Sequence, residues 1–107
     1  MITDLNALLR ACPLKEVTVA IPGTDETIRL RELTLADQAD YMDRNKDTQD
    51  FVRSAAFLVV RSCPDLKDAD IDGVASLSFE VVKFLSEEVL RLSGMLKKAP
   101  VEDEVKN

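Results

Sequence analysis

Residues 16–37 read EVTVAIPGTDETIRLRELTLAD, and the change of hydrophobic period inside this stretch decides the fold. From Glu16 to Ile21 apolar and polar residues alternate, with Val17, Val19 and Ile21 on one side and Glu16, Thr18 and Ala20 on the other. Thr27 to Arg31 alternates in the same way, with Ile28 and Leu30 against Thr27, Arg29 and Arg31. A period of two marks strands with one buried face, and Pro22-Gly23-Thr24-Asp25-Glu26 between them is turn chemistry, so the stretch predicts a β-hairpin over about 16–31. A hairpin alone is marginal in water and needs helices to pack on. The period changes at Thr34, a good N-cap, with Asp37 at the third helical position making a short capping box. A helix is expected from Leu35 to about Arg44, with Leu35, Ala39 and Met42 on its inner side.

Working outward from this stretch, the rest of the chain reads as helices. Upstream, Thr3 or Asp4 can cap a short helix through about Ala11 that carries Leu5, Leu8, Leu9 and Cys12 as one apolar stripe and ends at Pro13. Downstream, Asp47 or Thr48 starts a helix through Ser62; its middle, Phe51-Val52 and Ala55 to Val60, is apolar nearly all round and marks it as the central one. After the turn at Cys63-Pro64-Asp65, residues 68–75 are expected to make a helical turn or two that bury Ile71 and Val74. Ser76 or Ser78 caps a last long helix with Phe79, Val82, Leu85, Val89 and Leu92 inside, and Gly94 stops it. The expected architecture is mainly α (α+β), a small helical domain of about four helices with one N-terminal hairpin over residues 1–96, followed by a disordered acidic tail at 97–107.

Composition narrows the function. The 107 residues suffice for one domain, and 46% hydrophobic with 32% charged residues is a folded composition. With 5% aromatics and no Trp, the core must come from Leu, Val, Ile and Ala. The net charge of -6 argues against nucleic acid or an anionic membrane as partner. No signal peptide or membrane span is apparent, so a cytoplasmic location is expected, with Cys12 and Cys63 as buried or half-buried free thiols, although a disulfide between them stays open. There is no His, and the three glycines form no phosphate-binding loop, so no catalytic residue and no cofactor site is assigned and the chain reads as a non-enzyme.

Two features could carry binding. Asp68-Ala69-Asp70-Ile71-Asp72-Gly73 matches the opening of a calcium loop, in which alternate acids face one ion, and makes Asp68, Asp70 and Asp72 a metal candidate. The twelfth position, where a bidentate Glu belongs, is Phe79, and Glu80 falls one residue late, so the competing reading is an acidic capping turn. The stripe Leu5, Leu8, Leu9 either closes the core or is an arm that docks on a neighbouring subunit or client.

The order of elements also carries a likeness. A hairpin leads into Arg31-Glu32-Leu33-Thr34-Leu35-Ala36-Asp37, a central apolar helix ends at Arg61-Ser62-Cys63, and the last helix closes on Leu90-Arg91-Leu92-Ser93-Gly94. Over about residues 14–96 this resembles the tail assembly chaperones of long-tailed bacteriophages and prophages. The resemblance implies a mostly helical, non-enzymatic protein that coats the tape measure protein, keeps it soluble while tail tube subunits are recruited, and is absent from the mature virion; a homo-oligomer would suit such a role by multiplying weak contacts along an extended client. A small helical adaptor or structural subunit of a phage or bacterial complex is the alternative, ahead of a calcium-binding module.

Overall fold

The computed structural model describes residues 1–46 and 51–95. Its elements are α1 (Leu5–Ala11), β1 (Glu16–Ala20), β2 (Thr27–Arg31), α2 (Leu35–Asn45), α3 (Phe51–Ser62), a 3-10 turn at Asp68–Asp70, α4 (Ile71–Val74) and α5 (Phe79–Leu92). This is the expected small, mainly helical α+β architecture. The expected caps Asp47 and Thr48 and the expected acidic tail at 97–107 lie outside the described residues.

The hairpin forms where the alternation placed it. β1 and β2 pair antiparallel with Val17 opposite Leu30 and Val19 opposite Ile28, so the four apolar side chains share one face. The loop begins with a tight turn: Gly23 takes φ +80 after Pro22, and the Thr24 N–H donates to the Ile21 carbonyl at 3.1 Å. Pro at the second position and a left-handed Gly at the third are what a type II turn requires. The apolar face packs on α3 and α5, and Leu30 is fully buried there.

α3 is the spine. Ala56 to Val60 are all buried, because α2, α4, α5 and β2 each lie against this helix. α5 contributes Val82, Leu85, Ser86 and Val89, one face at helical spacing. Ser78, not Ser76, is its N-cap, accepting from the Val81 N–H. Its end is a complete Schellman motif: Met95 N–H donates to the Leu90 carbonyl at 2.8 Å and Gly94 N–H to the Arg91 carbonyl at 3.1 Å, with Gly94 at φ +77. Val74 is buried and Ile71 half-buried, as expected of the 68–75 segment.

Several inner-face expectations are corrected. Leu35 and Met42 are 84% and 62% exposed, and Ala39 is exposed too. The phase of α2 is set by Asp37, which is turned inward to its partners, so Asp37, Tyr41 and Arg44 form the inner edge. Phe79, the first residue of α5, is 69% exposed. Leu92 is only half-buried. Cys63 is buried, but Cys12 is exposed at the end of α1, and both thiols are free.

Candidate partner-binding surfaces

The surfaces are held in place by a polar junction beneath them. Ser62 at the end of α3 locks onto β2: its hydroxyl donates to the Arg31 carbonyl and accepts the Arg31 N–H at 3.1 Å. Ser93 at the end of α5 accepts the Leu33 N–H at 2.8 Å. Between these two clamps, Thr34 and Asp37 form the reciprocal capping box, with Thr34 N–H to Asp37 Oδ2 at 3.1 Å and Asp37 N–H to Thr34 Oγ1 at 3.0 Å. Asp37 also takes Arg31 Nη1 at 3.3 Å and Arg61 Nη1 at 3.0 Å. Burial pushes the Asp37 carboxyl up, but the bonds from Thr34 and Arg61 and the charge of Arg31 outweigh it, so its pKa lies below the ordinary carboxylate value.

Arg61 gathers the acidic segment to the same place. Its guanidinium forks onto Asp68, with Nε to Oδ1 at 2.9 Å and Nη2 to Oδ2 at 3.2 Å, and its Nη1 also reaches Asp40 at 3.2 Å. Those carboxylates raise the Arg61 pKa further, and Arg61 lowers that of Asp68. Guanidinium carbons of Arg61 and Arg44 sit 4.6 and 4.5 Å from the Phe57 ring centroid. Phe57 is therefore covered by two cations, a contact that the apolar pattern of α3 gave no hint of.

The calcium candidates are drawn apart by these contacts. Asp68 faces Arg61, Asp70 accepts the Lys67 N–H at 2.8 Å, and Asp72 pairs with Arg53 at 3.0 Å. Among the described residues no group of three or more His, Cys, Asp or Glu side chains is placed to hold a metal ion. The missed signal was charge across the chain: Arg53 and Arg61 stand two helical turns apart on α3, on the face that meets the acidic segment.

A groove of about 340 Å³ opens between α3 and α5, roofed at one end by Tyr41 of α2. It exists because its walls are small: Ser54 and Ala55 on α3, Ala75 after α4 and Ser86 on α5 leave room that Leu58, Val82 and Leu90 do not fill. Leu77 and Phe79 stand at its mouth, 50% and 69% exposed. Lys83 and Glu87, paired at 3.3 Å, form a charged lip on α5. Ser54 lines the groove at 1% exposure, and its hydroxyl has no hydrogen-bond partner. The groove thus offers apolar contact area, one unanswered hydroxyl and a polar edge, the make-up of a recognition surface.

α1 is the second surface. Leu5, Leu8 and Leu9 are 66%, 45% and 60% exposed, and no α1 residue is buried or belongs to the core. The stripe therefore does not close this chain's own core. The helix is nonetheless well formed, with Asp4 Oδ1 accepting the Ala7 N–H at 2.8 Å and the Cys12 N–H donating to the Leu8 carbonyl at 3.1 Å. Among the described residues no helix is long and apolar enough to cross a membrane.

Comparison with family models, with curated proteins and with solved structures gives no match for this chain.

Proposed function

We propose that this chain is a non-enzymatic tail assembly chaperone of a long-tailed phage or prophage. In this reading it works in the host cytoplasm, binds the tape measure protein, keeps it soluble, and hands it to the tail tube subunits that enclose it. The observation that carries the proposal is the open apolar groove, flanked by Leu77 and Phe79, on a body of net charge -6. An amphipathic client helix can lay its apolar face in such a groove, while the surrounding charge keeps the complex dispersed. The likeness of the Arg31–Asp37 junction and the closing Leu90–Gly94 segment to that family supports the choice of client.

Co-expression with the long coiled-coil-rich protein encoded beside it tests the reading. The client should move to the soluble fraction and co-purify, and Leu77→Asp with Phe79→Asp should abolish this without unfolding the chaperone, since both side chains are half exposed or more. Unchanged client solubility would sink the proposal. Recovery of the chain as a fixed component of finished particles would replace it with the adaptor reading.

A further inference from the structure

Between the end of α3 and the start of α5 the chain runs over the surface as a strap, residues 64–77, and its last residues wall one side of the groove. Both ends of the strap are fixed: the Cys63 N–H donates to the Val59 carbonyl at 3.0 Å, and Ser78 caps α5. In between, backbone hydrogen bonds stay local, from Asp70 to Lys67 at 2.7 Å, from Ala75 to Ile71 at 2.9 Å, and from Ser76 to Gly73 and Leu77 to Val74 at 3.0 Å. The helical pieces of the strap have three and four residues, too few to persist on their own. Val74 is its one buried residue, with Leu66, Ile71 and Ala75 half-buried. Beyond that anchor, charge ties the strap to the body. Asp65 pairs with Arg29 of β2 at 3.7 Å, Asp68 with Arg61 of α3 at 2.9 Å and Asp72 with Arg53 of α3 at 3.0 Å. In all three pairs the acid sits on the strap and the cation on the body, whereas Asp70 turns to the strap's own Lys67 N–H. The three acids are 75%, 64% and 73% exposed, so salt reaches every pair.

We propose that residues 64–77 are an ion-latched strap whose local opening sets the width of the groove. Ala75 and Leu77 line the groove, and Asp68 and Asp72 hold down the segment that carries them. Lifting the strap at the latch removes that wall and uncovers the part of α3 on which α4 and Val74 pack. The body tolerates the change. Arg61 keeps Asp37 at 3.0 Å and Asp40 at 3.2 Å when Asp68 leaves, so the junction stays closed. A segment with few buried apolar contacts between two fixed ends is the kind of unit that opens without global unfolding. An exposed ion pair contributes about two- to five-fold to an equilibrium constant, so three together change the open fraction by roughly ten-fold, and salt weakens all three at once. Opening is a property of the free chain and is independent of the client proposed above.

Amide hydrogen exchange of the purified full chain, followed by NMR, tests the latch. The amides of Asp70, Ala75, Ser76 and Leu77 should exchange as a group, ahead of those of Phe57, Val59 and Val60 in α3. Raising sodium chloride from about 0.02 to about 0.5 M should speed the strap amides several-fold and leave the α3 amides slow. Arg53→Gln breaks the latch from the body side and should speed the strap at low salt by about two- to five-fold. Asp68→Asn with Asp72→Asn breaks it from the strap side, should speed exchange by about four-fold or more, and should flatten the salt response. Slow exchange in α3 shows that each variant is folded. Nile red, an uncharged apolar dye, reads the groove and should bind several-fold tighter to Arg53→Gln than to the wild type. Strap amides that exchange only in step with α3 overturn the proposal, as does a salt response that both variants retain in full. Faster exchange with no change in dye affinity overturns the link between strap and groove.

Discussion

Replacing Asp37 with Ala tests whether the polar junction holds the helices in register. The carboxylate accepts from Thr34 N–H, Arg31 Nη1 and Arg61 Nη1. Loss of the cap bond costs about 1 kcal/mol. Each charged bond is worth about 1.5–3 kcal/mol when well buried, but the Arg31 and Arg61 side chains are 23% and 27% exposed and recover part of their hydration. Counting each at about 1 kcal/mol after that discount gives a total near 3 kcal/mol. A domain of this size has about 5–15 kcal/mol in all, so the variant should remain folded with a midpoint lowered by about 15 °C. Asp37→Asn keeps an acceptor for Thr34 and should lose about half as much. Urea unfolding followed by circular dichroism gives both values. Asp68→Ala is the control, because it removes another carboxylate from the same Arg61 at an exposed position and should cost clearly less. If Asp37→Ala lies within about 0.5 kcal/mol of wild type, or if Asp68→Ala costs as much, burial of Asp37 is not what makes the junction matter.

Further outcomes follow from the same structure. Since Asp37 and Asp68 have folded pKa values below the ordinary 3.8, their contribution is present above that value and is lost as pH falls through the depressed folded values; urea midpoints should be flat from neutral pH to about 5 and drop below about 4, with a shallower drop in Asp37→Asn. Ser54→Ala removes a buried hydroxyl that has no partner, so it should be neutral or stabilising by up to about 1 kcal/mol in the monomer, and a clear loss in thermal unfolding would mean the hydroxyl is satisfied. Two glycines should respond with opposite signs although an added Cβ meets nothing at either: Gly94→Ala is forced to φ +77 and should cost about 1–2 kcal/mol, whereas Gly73→Ala in α4 should gain about 0.5–1 kcal/mol by restricting the unfolded chain, both read from denaturant midpoints.

The elements were legible in the sequence where one strong local signal sets them. Alternation from Glu16 to Arg31 gave the hairpin and its buried face, Thr34 and Asp37 gave the start of α2, and Gly94 gave the end of α5. Helix orientation failed where a polar residue decides it. Periodicity of apolar residues in α2 pointed Leu35, Ala39 and Met42 inward, but the helix is turned by Asp37, whose partners are Arg31 at the end of β2 and Arg61 on α3, 24 residues away. The buried side of α2 is therefore set by charge pairing, which a search for apolar stripes cannot see. The groove was illegible for a related reason: it is made by small residues on three elements, and small residues leave no mark in a hydrophobic pattern until the helices that carry them are packed.

This division bears on what the likeness to tail assembly chaperones can mean. Among the residues that carry it, Arg31, Leu33, Thr34, Asp37, Arg61, Ser62 and Ser93 converge on one junction and bond to each other, with Arg61 also reaching Asp40 and Asp68 and Arg31 the Glu32 carbonyl. These seven fix how β2, α2, α3 and α5 meet and lie outside the groove, whereas Leu90, which opens the closing segment of the likeness, lines it. Under the proposed function such a pattern would stand for a shared way of holding four elements together. In the proposed function, recognition would instead rest on Leu77 and Phe79 at the groove mouth, where apolar character and exposure are all that physics requires and many side chains would serve. Substitutions at the junction should therefore lower stability and leave the client affinity of the folded fraction unchanged, while substitutions at the groove mouth should do the reverse. A single residue of the junction whose loss abolished association in a fully folded protein would break this separation of roles.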